Sequence, residues 1–386
     1  KYNFDKFIDR KNTSSVKYDL RPAVFQKGDV IPMWVADMDF ETPDFIRDAV
    51  MNRAFHPIYG YTFRGNEYYQ PVIAWMQSHH DWTVHRDDIV FSPGVVPALN
   101  FAILALTKPG DKVIIQSPVY SPFFGAVRDH DRELVYNQLL PHEDKYLVDF
   151  DLFEEQAKDA AMFILCNPHN PVGRCWSRPE LEKFAEICLK HKVLVLSDEI
   201  HADLVMPGYR HQVFANISPE IAAITLTAHA PSKTFNLAGL ATSSVIISNP
   251  ELRTPFAHVI EKMHLGMGNL FGSVASTAAY LHGEPWRLQL IDYLNNNISY
   301  AESFIRENIP SLKIFRPEAT YLIWLDFRQF GFTDEILRNK IIHEAGLGFN
   351  PGVEFGPGGE GFMRMNIACP RSTLTVALER LRKTLH

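Results

Sequence analysis

Lys233 stands in the stretch HAPSKTFNLAG (229–239), among small and apolar residues just after a β-branched run. A lysine on a solvated face needs no such surroundings. Packed among small residues, the amine loses solvation, its pKa falls, and it becomes a nucleophile able to form an imine. Asp198 ends the apolar run VLVLSDE (193–199), a costly place for an unpaired carboxylate. It reads either as a helix cap or as the partner of a cation. His201, three residues on, is a second contact or a structural histidine. Asn170 sits in LCNPHNPVGR (165–174). One Asn-Pro is an ordinary turn. Two in tandem followed by glycine are more specific, and they aim the Asn170 amide out of the end of a sheet. SPGVVPALN (92–100) reads as a strand, a glycine turn and a helix start whose free N–H groups suit a phosphate, although plain connections often look the same.

An amine, a strand-end carboxylate, an amide and a phosphate cradle together describe a site for pyridoxal phosphate (PLP). Something must bring them to one place. Short aliphatic or β-branched runs at 88–92, 111–117, 162–167, 192–199, 222–228 and 242–248 read as strands buried on both faces. Helical patterns lie between several of them, notably 96–107 and 178–192. This alternation implies an α/β fold with a mainly parallel sheet, whose ligands sit outside the carboxyl ends of its strands. After residue 248 the pattern changes. Long helical stretches cover 249–307, then strands at 313–316, 321–327 and 362–369, with helices at 333–345 and 371–385. The reading is a large PLP-binding domain over 46–285, its sheet flanked by helices. A smaller α+β domain comprises 286–386 and the turn-rich segment 1–45.

In that order, PGVV, NPHNPVG, SDEIH, SKTFNLAGL and FMRMN resemble the fold-type I PLP enzymes, the aspartate aminotransferase superfamily. MWVADMDF (33–40), CNPHNPVGR, SDEIHADL and PSKTFNLAGL resemble its cystathionine β-lyase, or cysteine C–S lyase, branch. The resemblance runs from about Phe4 to the C-terminal helix. It implies that Lys233 binds the coenzyme aldehyde, that Asp198 pairs with the pyridine nitrogen, and that Asn170 meets the ring oxygen. It further implies that Tyr120 stacks on the ring, with His201 a further contact. The N–H groups of Val95 and Val96, with Ser232, then hold the phosphate, and Tyr61 reaches the phosphate of a neighbouring subunit in a homodimer. Arg364, set between Phe362, Met363 and Met365, takes the substrate carboxylate, and Ala36 adds a backbone N–H to it. Aminotransferases of this fold commonly have tyrosine at the His201 position, arginine at Ala241 and serine at Ala230. These departures match the lyase branch.

The implied reaction is β-elimination at the C–S bond of L-cystathionine or a related cysteine thioether, giving a thiol, pyruvate and ammonia. Lys233 serves as the base, and Tyr120 or Tyr61 protonates the thiolate. An aminotransferase, a PLP-fold regulatory protein and a generic α/β binding protein remain as alternatives. The net charge of −7, without a dense basic run, argues against nucleic acid or an anionic membrane as partner. Four cysteines without framework spacing, a polar start and the lack of a 20-residue apolar run point to the cytoplasm. GPGGEG (356–361) fits a dinucleotide fingerprint literally, but it precedes a strand and is rejected as one. His79, His80 and the scattered histidines show no metal spacing and read as surface residues.

Overall fold

A computed structural model describes residues 1–385. Seven strands form the central sheet: β1 Ile89–Ser92, β2 Lys112–Ile115, β3 Glu133–Tyr136, β4 Ala160–Cys166, β5 Leu194–Asp198, β6 Thr225–His229 and β7 Ser243–Ile246. Their order is β1-β7-β6-β5-β4-β2-β3. All neighbours are parallel except at β7, which runs antiparallel to β1 and β6.

Alternation along β4 shows why its sequence is a continuous apolar run. Met162 and Ile164 enter one core with Phe256 of the helix Pro250–Lys262. Phe163 and Leu165 enter the opposite core with Phe153 and Phe184, from the helices Phe150–Ala157 and Arg178–His191. A strand covered on both faces has no polar side to show. Phe153, Phe163 and Phe184 are fully buried, each contributing about 1.5–3 kcal/mol. The same register puts Cys166 opposite Asp198, and Asp198 opposite Ala228. The ends of β4, β5 and β6 therefore share one edge.

The C-terminal part forms a second, antiparallel sheet: β8 Lys313–Phe315, β9 Leu322–Asp326, β10 Asn350–Pro351 and β11 Phe362–Asn366, in the order β8-β9-β11-β10. The N-terminal segment meets this part through a separate two-stranded sheet, Ile31–Pro32 paired in parallel with Leu347–Gly348. That segment also folds two short helices, Val16–Asp19 and Arg21–Phe25, more structure than its turn formers suggest. The expected helix 333–345 is an α-helix over Asp334–Asn339 that widens into a π turn over Lys340–Glu344. The expected strand 362–369 ends at Asn366, whose side chain donates instead to the carbonyls of Val35 and Asp37, 2.7 Å each.

Two joins lie close to the strand ends. Gly173 has φ +76°, and a Cβ there would sit 2.8 Å from Pro317 Cα. Only glycine lets the 165–174 loop approach so closely that its Gly173 carbonyl receives the N–H groups of Glu318 and Ala319. The other join corrects a sequence expectation. The helix Asn66–His80 buries Val72, Trp75, Met76 and His80, an i, i+3, i+4, i+8 stripe. His80 is therefore no surface residue: its Nε2 lies 2.8 Å from Asp203 Oδ1. His79 is only partly buried, stacks on Trp75 at 3.6 Å and reaches Glu284 at 2.9 Å.

Candidate active site

At the carboxyl ends of β4, β5 and β6 lies a cavity of about 210 Å³. It is lined by Ala36, Val95, Val96, Tyr120, Asn170, Asp198, His201, Ser232 and Lys233, nine of the eleven residues singled out in the sequence. Cys166, Ala241 and Thr242 complete parts of the wall, and sequence reasoning gave none of these three a role. A wider cleft of about 650 Å³ lies against Tyr68 and the helix Leu270–His282, away from this chemistry.

Lys233 is enclosed by protein, and the surface it retains faces the cavity. Its Nζ donates to the Ala36 carbonyl at 2.6 Å. Burial lowers the amine, nearby Arg364 lowers it further, and Asp37 and Asp198 pull it back, to about 8. Asp198 is buried at the end of β5. Burial raises its carboxyl, while one hydrogen bond from the Ile200 N–H (3.1 Å) and the charge of Lys233 oppose the rise, leaving it at about 7. Each group thus loses charge to the same enclosure. His201 is buried, with Nδ1 unpartnered and its ring edge-on to Tyr321. Burial, then Lys233 and Arg364, hold the imidazole well below its usual range, so it is neutral.

Val95 and Val96 open the helix Val95–Leu106, so no carbonyl lies one turn earlier to receive their N–H groups. Ser232 precedes the lysine on the same turn. Tyr120 closes another wall, its N–H donating to the Asn170 carbonyl at 3.1 Å and its phenol raised by burial.

Arg364 does not line the cavity directly but lies buried behind Asn170. Its Nη1 donates to Asn170 Oδ1 (3.1 Å), and its Nη2 donates to the Trp34 carbonyl (2.9 Å) and Asn350 Oδ1 (2.8 Å). Among the described residues its Nε has no partner, and no carboxylate pairs with it. Burial lowers the guanidinium to about 10. A buried cation without a counterion is a site for an anion.

Ala36 lines the cavity. Its carbonyl faces the site and receives both Lys233 Nζ and the hydroxyl of fully buried Tyr321 (2.9 Å). Nothing in the sequence marks Tyr321 or Asn350, and Trp34, although within MWVADMDF, was given no role. Tyr61 stays outside: it is 99% exposed, on a segment with exposed Phe55, Ile58, Tyr59 and Phe63.

An enclosed amine and carboxyl, each short of charge, beside free helix-start N–H groups and an unpaired guanidinium define the coenzyme chamber of an α/β enzyme. The chain belongs to the aminotransferase class I and II family, whose model matches residues 29–381. It is 44% identical over 385 residues to cystathionine beta-lyase PatB of Bacillus subtilis (strain 168), covering 99% of this chain and 100% of that one. The structure of cystalysin from Treponema denticola, which contains a pyridoxal 5'-phosphate cofactor, matches at TM-score 0.97 and 38% identity over 100% of this chain and 98% of that one. A PLP-bound protein from Clostridium difficile 630, described as an aminotransferase, matches at TM-score 0.99 and 41% identity over the whole of both chains.

Proposed function

We propose that the protein is a PLP-dependent carbon–sulfur β-lyase that cleaves L-cystathionine or a related cysteine thioether to a thiol, pyruvate and ammonia. One observation carries the reading: Lys233 and Asp198 line one chamber whose wall residue Asn170 is held by the counterion-free Arg364, a lysine able to bind an aldehyde near a cation able to hold an amino acid's carboxylate. The lengthwise identity to a cystathionine beta-lyase supports lyase over transferase.

The residues present fit PLP. The Asp198 carboxyl, with a single N–H donor, suits the ring nitrogen. The Asn170 amide nitrogen, its oxygen engaged by Arg364, suits the ring oxygen, and Tyr120 suits the ring face. Val95, Val96 and Ser232 suit the phosphate, and neutral His201 lies beside them as a further contact. Bound, PLP supplies an aldehyde for the amine and a ring that withdraws electrons from the substrate Cα. Lys233, near 8, can both bond to that aldehyde and, once displaced by the substrate amine, take the Cα proton near neutral pH. Arg364 holds the substrate carboxylate as a bidentate pair, steadied by Asn350 and the Trp34 carbonyl, with Ala36 beside it. With the Cα electrons withdrawn, the Cβ–S bond breaks, and Tyr120 or the partner copy's tyrosine at position 61 protonates the thiolate.

The test is pyruvate release from cystathionine, cystine, cysteine and methionine with no keto acid present. Amino transfer that depends on an added keto acid would favour the aminotransferase reading, which the description of the Clostridium difficile protein supports. Arg364→Lys keeps the charge but loses the fork. Its KM for the thioether rises roughly tenfold to a hundredfold, with a smaller change in kcat. Equal KM values in steady-state kinetics would count against this role.

The protein acts as a homodimer with a shared site, supported by the exposed apolar segment around Tyr61. Tyr61→Phe weakens coenzyme affinity several-fold, and equilibrium titration of the coenzyme-free protein checks it. The chain divides into a large domain, 46–285, and a small one, 1–45 with 286–386, supported by the pairing of Ile31–Pro32 with Leu347–Gly348. It works in the cytoplasm, in keeping with four free, buried cysteines.

A further inference from the structure

The turn that follows β5 has two charged sides. Asp198 and His201 face the chamber. Glu199 and Asp203 face backward, into protein, where they meet three buried histidines. Glu199 Oε2 lies 2.7 Å from His211 Nε2, and its other oxygen accepts from the Ser197 hydroxyl and the Phe214 N–H. Asp203 accepts from Trp75 Nε1 (3.0 Å) and lies 2.8 Å from His80 Nε2, both through Oδ1. Its Oδ2 is 3.3 Å from Nε2 of His229, the last residue of β6. Among the described residues neither of those two atoms makes a hydrogen bond, to the other or elsewhere; they are close without being aligned, and both side chains are 2% exposed. His229 is fixed at its other nitrogen by the Tyr280 hydroxyl (3.0 Å), and the Asp203 backbone carbonyl is fixed by Arg287, itself paired with Glu284.

His229 begins the turn that ends in Lys233. Asp203 belongs to the turn that begins at Asp198. The contact between them is therefore a tie between the two loops whose reactive groups must face one ring. We propose that Asp203 and His229 form a buried carboxylate–imidazole strut that sets the spacing of Asp198 and Lys233, which makes them positioning residues for the elimination. Burial pushes the Asp203 carboxyl up, but His229 and His80 outweigh it and hold the carboxyl well below its usual range. His80, Asp203 and His229 also have the residue types of a metal site. Only three ligands converge, however, and Oδ1 is already engaged by Trp75 and His80. A closed zinc site takes four ligands.

The kinetic half of this inference rests on the proposed lyase function; the structural half does not. The test uses full-length His229→Leu, Asp203→Asn and His229→Gln, the last placing an amide N–H near the lost Nε2. In coenzyme-free protein, amide hydrogen exchange over 199–205 and 230–236 speeds up at least about tenfold in His229→Leu and Asp203→Asn, in both turns together, while the sheet strands stay as in wild type. In PLP-loaded enzyme, kcat falls roughly tenfold with KM within about twofold, because the partners of Arg364 lie outside the strut. His229→Gln recovers most of both. Should His229→Leu fail to fold, Asp203→Asn and His229→Gln, which preserve shape, decide. Exchange altered only in the mutated turn, unchanged kcat, or a stoichiometric divalent metal in the purified protein would overturn the strut. Wild-type protein that ignores PLP would remove the lyase reading instead, leaving exchange to judge the strut.

Discussion

Lys233→Ala eliminates at least about 10⁴-fold of the turnover and leaves a folded protein. The amine is asked for two things, the bond to the coenzyme and the removal of the Cα proton, and no second lysine lines the chamber. The fold asks little of it. Its one hydrogen bond is to the Ala36 carbonyl, which keeps the Tyr321 hydroxyl as a donor when the amine is gone. In coenzyme-free wild type the enclosure lowers the amine from 10.5 to about 8. The resulting cost is fully present below about 8 and fades as pH rises toward 10.5, because there the folded chain has already released a proton the unfolded chain still holds. Wild type therefore gains on Lys233→Ala across that window. Pyruvate release, borohydride trapping of the coenzyme and melting curves at pH 7 and 10 check the three parts. Near-normal turnover in the variant would end the mechanism.

Asp198→Asn separates stability from activity with opposite signs. The carboxyl is raised from 3.8 to about 7 by burial, so ionising it at pH 8 costs the empty protein on the order of 2–4 kcal/mol. Asparagine keeps the oxygen that receives the Ile200 N–H and removes the charge. Coenzyme-free Asp198→Asn should melt higher than wild type at pH 8. The gap closes as pH falls from about 7 toward 3.8, where the wild-type carboxyl is protonated in both states. With PLP bound the order of merit reverses: elimination slows about a hundredfold or more, because a neutral amide cannot keep the ring nitrogen protonated. A coenzyme-free variant less stable than wild type would contradict this account of the site.

The large sheet was legible because β4 and β5 are buried on both faces and so carry uninterrupted apolar runs. Lys233, Asp198 and Asn170 were legible because each violates its surroundings at the end of such a run. Arg364 was legible from its apolar neighbours in sequence, and its burial follows from them. His80 was not, because its signal is the helical stripe through Val72, Trp75 and Met76, and the adjacent His79 obscured it. Asn350, Trp34 and Tyr321 act only through tertiary meetings of segments up to 330 residues apart, and no local pattern records such a meeting.

Asn366 grips the carbonyls on either side of Ala36 and thereby turns the one between them toward Lys233. The resting place of the reactive amine is thus built at Ala36 and fastened from Asn366, a segment far away in sequence. A nascent chain still on the ribosome, with residue 366 inside the exit tunnel, can have its central sheet formed and its lysine exposed, yet lack that dock. Coenzyme capture in finished form then waits until residue 366 has emerged.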